Sequence, residues 1–299
     1  MKKLIISSFA VLAVVALWVS CRPSAAEKEE ARVQRHMTPN PIVWDTIYIN
    51  KAETIKLDSL TESSCSVRIE FIVPKEYEKT EIVASIQQEL SYALIDDEAL
   101  QEALSKEVLE RYATDYIAEY MEEEKKDFSF WKNSAPQSES YTKEITTKVL
   151  FDEANLISYQ LQVIEYSGAD TTSVVYENLL FDLVNGQKLK EEDLFREGYR
   201  EDLNKGLIEQ LFRSNGVQTV EELNSFGYWG AADLGSNNNF YITGQGVNYT
   251  YNPGEYADAE LGALNILINL DDLSHLGILK NESPISILYQ KEETEQTEE

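Results

Sequence analysis

Alternation of apolar and polar residues predicts two β-strands near the start of the folded body. The alternation runs over residues 44–57 and again over residues 66–73, and Pro74 ends the second run. A period of two places every other side chain on one buried face of a sheet. We therefore expect the body of the protein to open with two strands.

Apolar residues at helical spacing predict two helices after these strands. The first helix carries Ile82, Ile86, Leu90 and Leu94. The second follows an N-cap at Asp96 and Asp97, and its apolar stripe consists of Leu100, Leu104, Val108, Tyr112, Tyr116 and Tyr120. Such a stripe is typical of a helix packed on a core. The period stops over residues 128–139, which we expect to form a junction.

The second half of the chain predicts more strands than helices. Residues 141–151 and 156–166 alternate around a turn at 152–155, and residues 173–184 end at the turn Asn185-Gly186. A short helical turn is expected at 188–195 and a helix at 199–213. Thr219 and Glu222 form a capping box for a further short helix.

A tyrosine-rich hairpin is predicted at residues 240–262, which read FYITGQGVNYTYNPGEYADAELG. One face should be buried, because the following residues alternate along it: Tyr241, Thr243, Val247, Tyr249 and Tyr251. A strand at 264–270, a helical turn at 273–276 and a return to the sheet edge at 285–289 complete the pattern. The predicted fold class is α+β, a mainly antiparallel sheet with helices packed on it, in two intimately packed subdomains.

The first residues have the pattern of a lipoprotein signal peptide. Lys2 and Lys3 precede an apolar run at 4–17 that is too short to cross a bilayer, and a small residue precedes Cys21. This end resembles a bacterial lipobox, although Trp18 stands where leucine is usual. The resemblance implies cleavage after residue 20, lipid attachment to Cys21 and a cell-envelope location, with the outer membrane favoured over the inner. Ordinary secretion, with cleavage near residues 24–26, is the alternative.

Composition sets the remaining boundaries. Residues 21–40 are polar and without period, which predicts a flexible tether after the signal peptide at 1–20, and residues 291–299 form an acidic tail. Between them we expect an N-terminal α+β subdomain at 41–135 and a C-terminal domain at 136–290.

Charge restricts the classes of partner. The 299-residue chain has a formal net charge of −27, and removal of Lys2 and Lys3 lowers it to −29. Nucleic acid is not an expected partner, because its phosphates attract basic surfaces. We expect contact with the membrane only through the N-terminal lipid. A cationic protein is the natural partner, although an acidic surface also serves solubility.

Little in the sequence points to catalysis. The two histidines, His36 and His275, are too few for a histidine-rich metal site, and Cys65 has no second thiol to pair with once Cys21 is acylated. Carboxylate pairs occur, but they are expected by chance among 53 acidic residues. We expect no enzyme activity, no metal and no cofactor.

One corner of the tyrosine-rich hairpin is the candidate binding site. A rigid Asn-Pro-Gly turn follows the strand there, with tyrosines and carboxylates around it. Aromatic side chains anchor a protein partner, and charges orient it. The candidate residues are Tyr251, Asn252, Pro253, Glu255, Tyr256 and Asp258. The alternative is that the corner only closes the sheet.

Three segments together resemble a known family. They are FDLVNGQKL at 181–189 leading to DLF at 193–195, the hairpin that contains Tyr-Asn-Pro, and the strand and helix start at 266–273. These segments are similar to the RsiV-like extracytoplasmic domain, which occurs in a lysozyme-sensing anti-sigma factor and beside polysaccharide-deacetylase domains. The resemblance covers residues 141–280 and implies a binding domain for a lysozyme-type hydrolase.

The chain departs from this family in two ways. The relatives commonly have Gly-Gly-Ala-His where this chain reads Ser167-Gly168-Ala169-Asp170, so Asp170 cannot act as a neutral imidazole would. The anti-sigma members also need a transmembrane helix, for which only the cleavable residues 1–20 are available here. Direct control of a sigma factor is therefore not expected.

Three hypotheses of function follow. The first is a lipid-anchored envelope protein whose non-catalytic domain binds a cationic protein such as lysozyme, or a cell-wall glycan. The second is an accessory to peptidoglycan or surface-glycan processing, with weak hydrolysis that depends on Glu255 or Asp258. The third is a purely structural envelope lipoprotein.

Overall fold

A six-stranded sheet forms the centre of the part of the chain that the computed structural model describes, residues 39–95, 103–131, 140–167 and 172–289. Its strands lie in chain order, and all neighbours are antiparallel except β2 and β3, which run parallel. The strands are β1 (Val43–Lys56), β2 (Glu62–Glu76), β3 (Ser140–Glu153), β4 (Leu156–Tyr166), β5 (Thr172–Asp182) and β6 (Gln187–Leu189). The predicted α+β class is confirmed.

Two helices cover one face of this sheet. They are α1 (Thr80–Ile95) and α2 (Lys106–Trp131). Their apolar sides pack on alternate strand residues, among them Phe71 and Tyr159, to form a first hydrophobic core. Lys143 ties the sheet to α2, because its ammonium lies 4.3 Å from the ring centroid of Tyr116 and 2.9 Å from the carboxylate of Glu165.

A second, three-stranded antiparallel sheet carries the C-terminal part. Its strands are β7 (Phe240–Thr243), β8 (Gly246–Tyr251) and β9 (Leu264–Asn269). The helices here are α3 (Glu191–Leu194), α4 (Arg200–Asn215), α5 (Val220–Ser225) and α6 (Leu270–Leu276), with 3₁₀ turns at Ala231–Asp233, Ala259–Leu261 and Pro284–Tyr289. Leu207, Tyr249 and Ile268 belong to the second hydrophobic core that these elements enclose.

Strand β5 contributes to both cores. Leu179 and Phe181 lie in the first core, whereas Leu180 between them lies in the second. This division follows from the strand period of two, since successive side chains point to opposite faces of the sheet. The two cores therefore lie on opposite sides of β5.

Side-chain hydrogen bonds join the second sheet to the first. The Ser158 hydroxyl on β4 accepts from the Ile242 amide at 2.9 Å and donates to the Ile242 carbonyl at 3.0 Å. Asn239 bridges to β5, where its amide accepts from the Asn178 N–H at 2.8 Å and donates to the Tyr176 carbonyl at 2.9 Å. Each contact replaces strand pairing where the main chains of the two sheets do not meet.

The predicted bounds of the second helix are wrong at both ends. Leu104 is buried but precedes the helix, because the Ser105 hydroxyl accepts from the Val108 N–H and caps the first turn. The helix also continues through residues 128–131, where a junction is predicted. Leu100 and the predicted N-cap at Asp96 and Asp97 lie outside the described residues.

Three smaller predictions in the C-terminal part are also wrong. In β7 the buried residues are Phe240 and Ile242, not Tyr241 and Thr243, because Phe240 pairs with Tyr249 across the hairpin. The helical turn predicted at 188–195 is shorter, at Glu191–Leu194, because residues 188 and 189 belong to the short strand β6. Residues 284–289 form a 3₁₀ turn and not a strand. The capping box of Thr219 and Glu222 is confirmed.

Cys65 lies in β2 and is a free thiol that is 1% exposed. Burial, and then the negative charge of Glu53, raise the pKa of this thiol to about 11. It is therefore protonated at neutral pH and packs as a small apolar residue, as the strand pattern predicts. In the described part of the chain, no helix is both long and apolar enough to span a bilayer.

A fully buried carboxylate organises the start of the C-terminal part. Glu191 is 0% exposed at the first position of α3. Its carboxylate accepts from the Tyr199 hydroxyl at 2.7 Å, from the Ser236 hydroxyl at 2.9 Å and from the Asn238 N–H at 2.8 Å. Burial, and then the charge of Glu191, hold the pKa of Tyr249 well above its usual value. The carboxylate thereby ties α3 and α4 to the loop before β7.

We predict that Glu191→Gln destabilises the fold. The amide nitrogen would face groups that are themselves donors, so a loss of about 2–3 kcal/mol in the free energy of unfolding is expected. Chemical denaturation measures this loss. The matched control is Glu192→Gln, because Glu192 is exposed and its carboxylate accepts from Arg200 at 3.0 Å and from the Tyr199 hydroxyl at only 3.3 Å. The control should cost less than about 1 kcal/mol, and equal losses for the two variants would contradict the role given to Glu191.

Candidate functional site

The candidate corner begins with a buried tyrosine. Tyr251 is 0% exposed at the end of β8, and its hydroxyl donates to the Gly235 carbonyl at 3.0 Å. Its ring contacts that of Tyr256 edge-on, with 5.2 Å between centroids. Tyr251 therefore supports the corner from inside the second core.

The turn that follows is closed by its own side chains. The Asn252 N–H donates to the Glu255 carboxylate at 2.8 Å, and the Glu255 N–H donates to the Asn252 carbonyl at 3.0 Å. Pro253 and Gly254, which has φ of +80°, occupy the two central positions. Proline followed by a left-handed glycine is the residue pattern of a type II turn.

Asn252 also connects this turn to the large sheet. Its side-chain carbonyl accepts from the Tyr176 N–H of β5 at 2.7 Å. Together with Asn239, it supplies partners to the part of β5 that lies beyond β6. The position of the corner is therefore set by a hydrogen bond to a neighbouring strand.

After the turn, the chain runs against the loop that follows α5. The Gly230 N–H donates to the Tyr256 carbonyl and the Asp258 N–H donates to the Gly227 carbonyl, both at 2.9 Å. The approach is too close for side chains on the glycines. A Cβ on Gly227 would lie 2.7 Å from an Asp258 carboxylate oxygen, and one on Gly230 would lie 2.9 Å from the Tyr256 Cα. The sequence Phe-Gly-Tyr-Trp-Gly allows this contact.

The two loops carry large exposed apolar side chains, and they meet where Leu261 lies against Gly227 and Tyr256 against Gly230. Phe226 is 56% exposed, Trp229 is 55% exposed and Leu261 is 50% exposed, while Tyr256 is half-buried beside them. We call these four residues the aromatic patch. Single exposed apolar residues are ordinary on protein surfaces, whereas a group of them on neighbouring loops makes this region the candidate site.

Carboxylates surround the aromatic patch. Asp233, Glu255, Asp258 and Glu260 are all exposed around it. Partial burial, followed by the charges of Glu255 and Asp233, raises the pKa of the Tyr256 hydroxyl. No lysine or arginine occurs in the sequence between Arg213 and Lys280. This segment of the chain therefore combines exposed apolar side chains with acidic ones and carries no basic residue.

The predicted site residues have different roles in this geometry. Tyr251, Asn252 and Glu255 bond within the fold, and Pro253 shapes the turn, whereas Tyr256 and Asp258 border the aromatic patch. Binding by these residues stays a prediction. Sequence reasoning missed Phe226, Trp229 and Leu261. The pair of glycines around Tyr228 and Trp229 was the available signal, since it allows another backbone to approach closely.

The other positions singled out from the sequence provide little evidence of a functional site. Cys21 and Asp170 lie outside the described residues. His275 is exposed on α6, and one of its ring nitrogens lies 2.7 Å from the Asp271 carbonyl, an ordinary helix-end contact. Within residues 39–95, 103–131, 140–167 and 172–289, no group of three or more His, Cys, Asp and Glu side chains is placed to hold a metal ion.

Comparison with known proteins identifies one domain. Residues 192–271 match the family model described as "Protein of unknown function (DUF3298)". The chain contains a DUF3298 domain. The matched segment extends from α3 into α6 and includes both loops of the aromatic patch. No curated protein matches the chain.

Solved structures extend the likeness beyond the DUF3298 segment. A DUF3298 family member from Bacteroides fragilis NCTC 9343 shares 25% sequence identity, with a TM-score of 0.76 over 85% of this chain and 99% of that one. A DUF3298 family protein from Pseudomonas aeruginosa PAO1 shares 12% identity, with a TM-score of 0.53 over 81% of this chain and 96% of that one. The second likeness shows the fold alone.

We predict that Asn252→Ala destabilises the protein, because Tyr176 loses the acceptor for its main-chain N–H. An unpaired, partly buried N–H costs about 1–3 kcal/mol. The matched control is Asn224→Ala, since Asn224 is exposed on α5 and should change the free energy of unfolding by less than about 0.5 kcal/mol. Thermal or chemical denaturation compares the two. If the Asn252 variant is as stable as its control, the structural role given to Asn252 is contradicted.

Proposed function

We propose that this protein is a lipid-anchored component of the cell envelope whose DUF3298 domain binds a cationic protein without catalysis. Cys21 is the proposed lipid attachment site, and the outer membrane is the favoured location. The proposed partner class is a lysozyme-type hydrolase. The aromatic patch with its acidic border is the observation that carries this proposal.

The composition of the patch supports protein binding. Aromatic side chains with large contact areas carry much of the energy in protein interfaces, and tryptophan and tyrosine are prominent among them. Trp229 and Phe226 offer such area on a loop held by two main-chain hydrogen bonds to the next loop. A preorganised surface loses little conformational entropy on binding.

The charge around the patch supports a basic partner. Asp233, Asp258 and Glu260 surround the apolar residues, and the whole chain has a net charge of −27. A field of one sign accelerates encounter with a partner of opposite sign and orients it on approach. Exposed carboxylates act mainly on the association rate, whereas the apolar centre governs how long the complex lasts.

The resemblance to the RsiV-like domain suggests which basic protein to test. That family includes a lysozyme-sensing ectodomain, and the DUF3298 match at residues 192–271 lies within the region of resemblance at 141–280. Lysozyme is a small, strongly basic protein of the extracellular space. It is therefore a suitable first probe for a domain anchored outside the cytoplasm.

We predict that Trp229→Ala weakens binding of lysozyme by at least tenfold, about 1.4 kcal/mol, because it removes the central apolar anchor. Calorimetric titration of the purified full-length protein at low salt measures the affinity. The matched control is Tyr48→Ala, an exposed aromatic residue on β1, outside the aromatic patch. The control should bind as the unchanged protein does.

Two outcomes would count against the proposed partner. The first is the absence of binding at low ionic strength, where attraction between opposite charges is greatest. The second is equal affinity of the Trp229 variant and the unchanged protein, which would move the contact elsewhere. A rise in dissociation constant with salt, reduced by Glu260→Lys, is expected from the charge argument.

We predict that mass spectrometry of the protein from its native membrane finds a diacylglycerol-modified Cys21 at the N-terminus. Acylation requires the thiol, so Cys21→Ser should release the protein from the membrane fraction or leave its signal peptide uncut. Detection of residues 1–20 in the mature chain would refute the anchor. Binding of lysozyme in solution would be unaffected by that result.

A further inference from the structure

Residues of the described part of the chain cover only part of the sheet face that lies opposite α1 and α2. At one end of this face, Leu156 and Leu180 pack into the second core. Beyond the buried Ser158 and Asn178, the side chains of this face are half-buried or exposed. Tyr48, at the edge of this face on β1, is 65% exposed.

The strand registers align five side chains of this open face in one row across the sheet. Each residue of the row pairs with the next on the neighbouring strand, in the order Tyr48, Glu70, Thr146, Gln162 and Tyr176. With strands about 4.8 Å apart, four spacings give a row of about 19 Å. We call these five residues the polar row.

Hydrogen bonds hold part of the polar row in place. The Thr146 hydroxyl donates to the Gln162 side-chain carbonyl at 3.2 Å, and the Gln162 amide donates to the Tyr176 hydroxyl at 2.8 Å. A glutamine amide has two donor hydrogens and two acceptor lone pairs, and this chain of bonds uses one of each. The row therefore presents fixed side chains that retain hydrogen-bonding capacity.

Charges next to the polar row are balanced, unlike those of the chain as a whole. Arg68 pairs with Glu144 at 2.9 Å in the adjacent row, and Lys148 is exposed on the other side of Thr146. With Glu70, this gives two basic and two acidic side chains. A balanced face on a chain of net charge −27 suits a neutral ligand, because it neither attracts nor repels by net charge.

The polar row lies beside the junction with the C-terminal part. In the row next to it, Gln160 donates to Asn178, and Asn178 in turn donates to Asn239 of the loop before β7. Ligand sites are frequent at the interface between two domains. The side-chain amides of Gln160, Asn178 and Asn239 thus border one side of the open face.

We infer that the open sheet face binds a neutral glycan chain laid across the strands along the polar row. Hydroxyl groups of a sugar match the fixed amide and hydroxyl groups of Thr146, Gln162 and Tyr176. The tyrosine rings at both ends provide amphipathic surfaces for the C–H faces of sugar rings. The row lacks the apolar centre on which stable protein interfaces depend. This site is separate from the aromatic patch.

The experiment is a titration of the purified full-length, isotope-labelled protein with two neutral tetrasaccharides, chitotetraose and cellotetraose, followed by NMR. Oligogalacturonate, which is negatively charged, serves as a third probe. We expect at least one neutral tetrasaccharide to shift amide signals of β1–β5 in the polar row at millimolar concentration. Tyr48→Ala and Gln162→Ala should each raise the dissociation constant at least fivefold.

Control variants separate this site from the proposed protein contact. Trp229→Ala should leave the tetrasaccharide affinity unchanged, and Tyr48→Ala should leave lysozyme binding unchanged. Each variant must keep the thermal midpoint of the unchanged protein, so that a loss of binding is local. Three results would overturn the inference: no response to either neutral tetrasaccharide, undiminished affinity in both sheet variants, or equal binding of oligogalacturonate.

Discussion

The main chain of β5 has to find hydrogen-bond partners beyond the point where β6 ends, and this requirement arranges the C-terminal part. Strand β6 pairs only with Leu180, Phe181 and Asp182. Further along, the side chains of Asn239 and Asn252 take the place of a neighbouring strand. Because buried main-chain groups cannot be left unpaired without cost, the two asparagines fix where the second sheet meets the first.

That constraint extends to the aromatic patch. Asn252 begins the Asn-Pro-Gly-Glu turn, and the chain after this turn makes the two main-chain bonds to the loop of Phe226 and Trp229. The exposed aromatic side chains are thus positioned indirectly by the edge of the large sheet, through the turn that Asn252 begins. Glu191 fixes the loop that carries Asn239 from the other side, through its bond to the Asn238 N–H. Both the proposed protein contact and the proposed glycan face depend on one strand, since Tyr176 and Asn178 lie in β5.

The sequence predicts those features that depend on local period. Alternation identified β1 to β5, and four-residue steps identified α1 and most of α2. The sequence did not predict the C-terminal end of α2, because the apolar residue Phe130 is 76% exposed there and does not continue the buried apolar stripe of the helix. In β7, both faces carry apolar or aromatic residues, and only the pairing of Phe240 with Tyr249 decides which face is buried. The spacing of apolar residues along the chain does not specify which residues pair across a hairpin.

The candidate site was less predictable than the fold for the same reason. The Asn-Pro-Gly corner is contiguous in sequence and could be located, but its asparagine accepts a hydrogen bond from Tyr176 of β5, which lies 76 residues earlier in the chain. The aromatic patch unites Trp229 and Leu261 from separate loops, and neither belongs to an amphipathic pattern. The polar row draws one residue from each of five strands, and only the strand registers bring them together.

The two surfaces differ in how they respond to charge, which gives a physical reason for their separation. The proposed binding at the aromatic patch depends on an acidic border, so salt is expected to weaken it by screening. Binding at the polar row relies on short hydrogen bonds within a balanced set of Arg68, Glu70, Glu144 and Lys148, so screening has little net effect there. A glycan laid over the acidic border would desolvate carboxylates without neutralising them, and a basic protein on the balanced face would gain no attraction. Each ligand class is therefore favoured at one surface and disfavoured at the other.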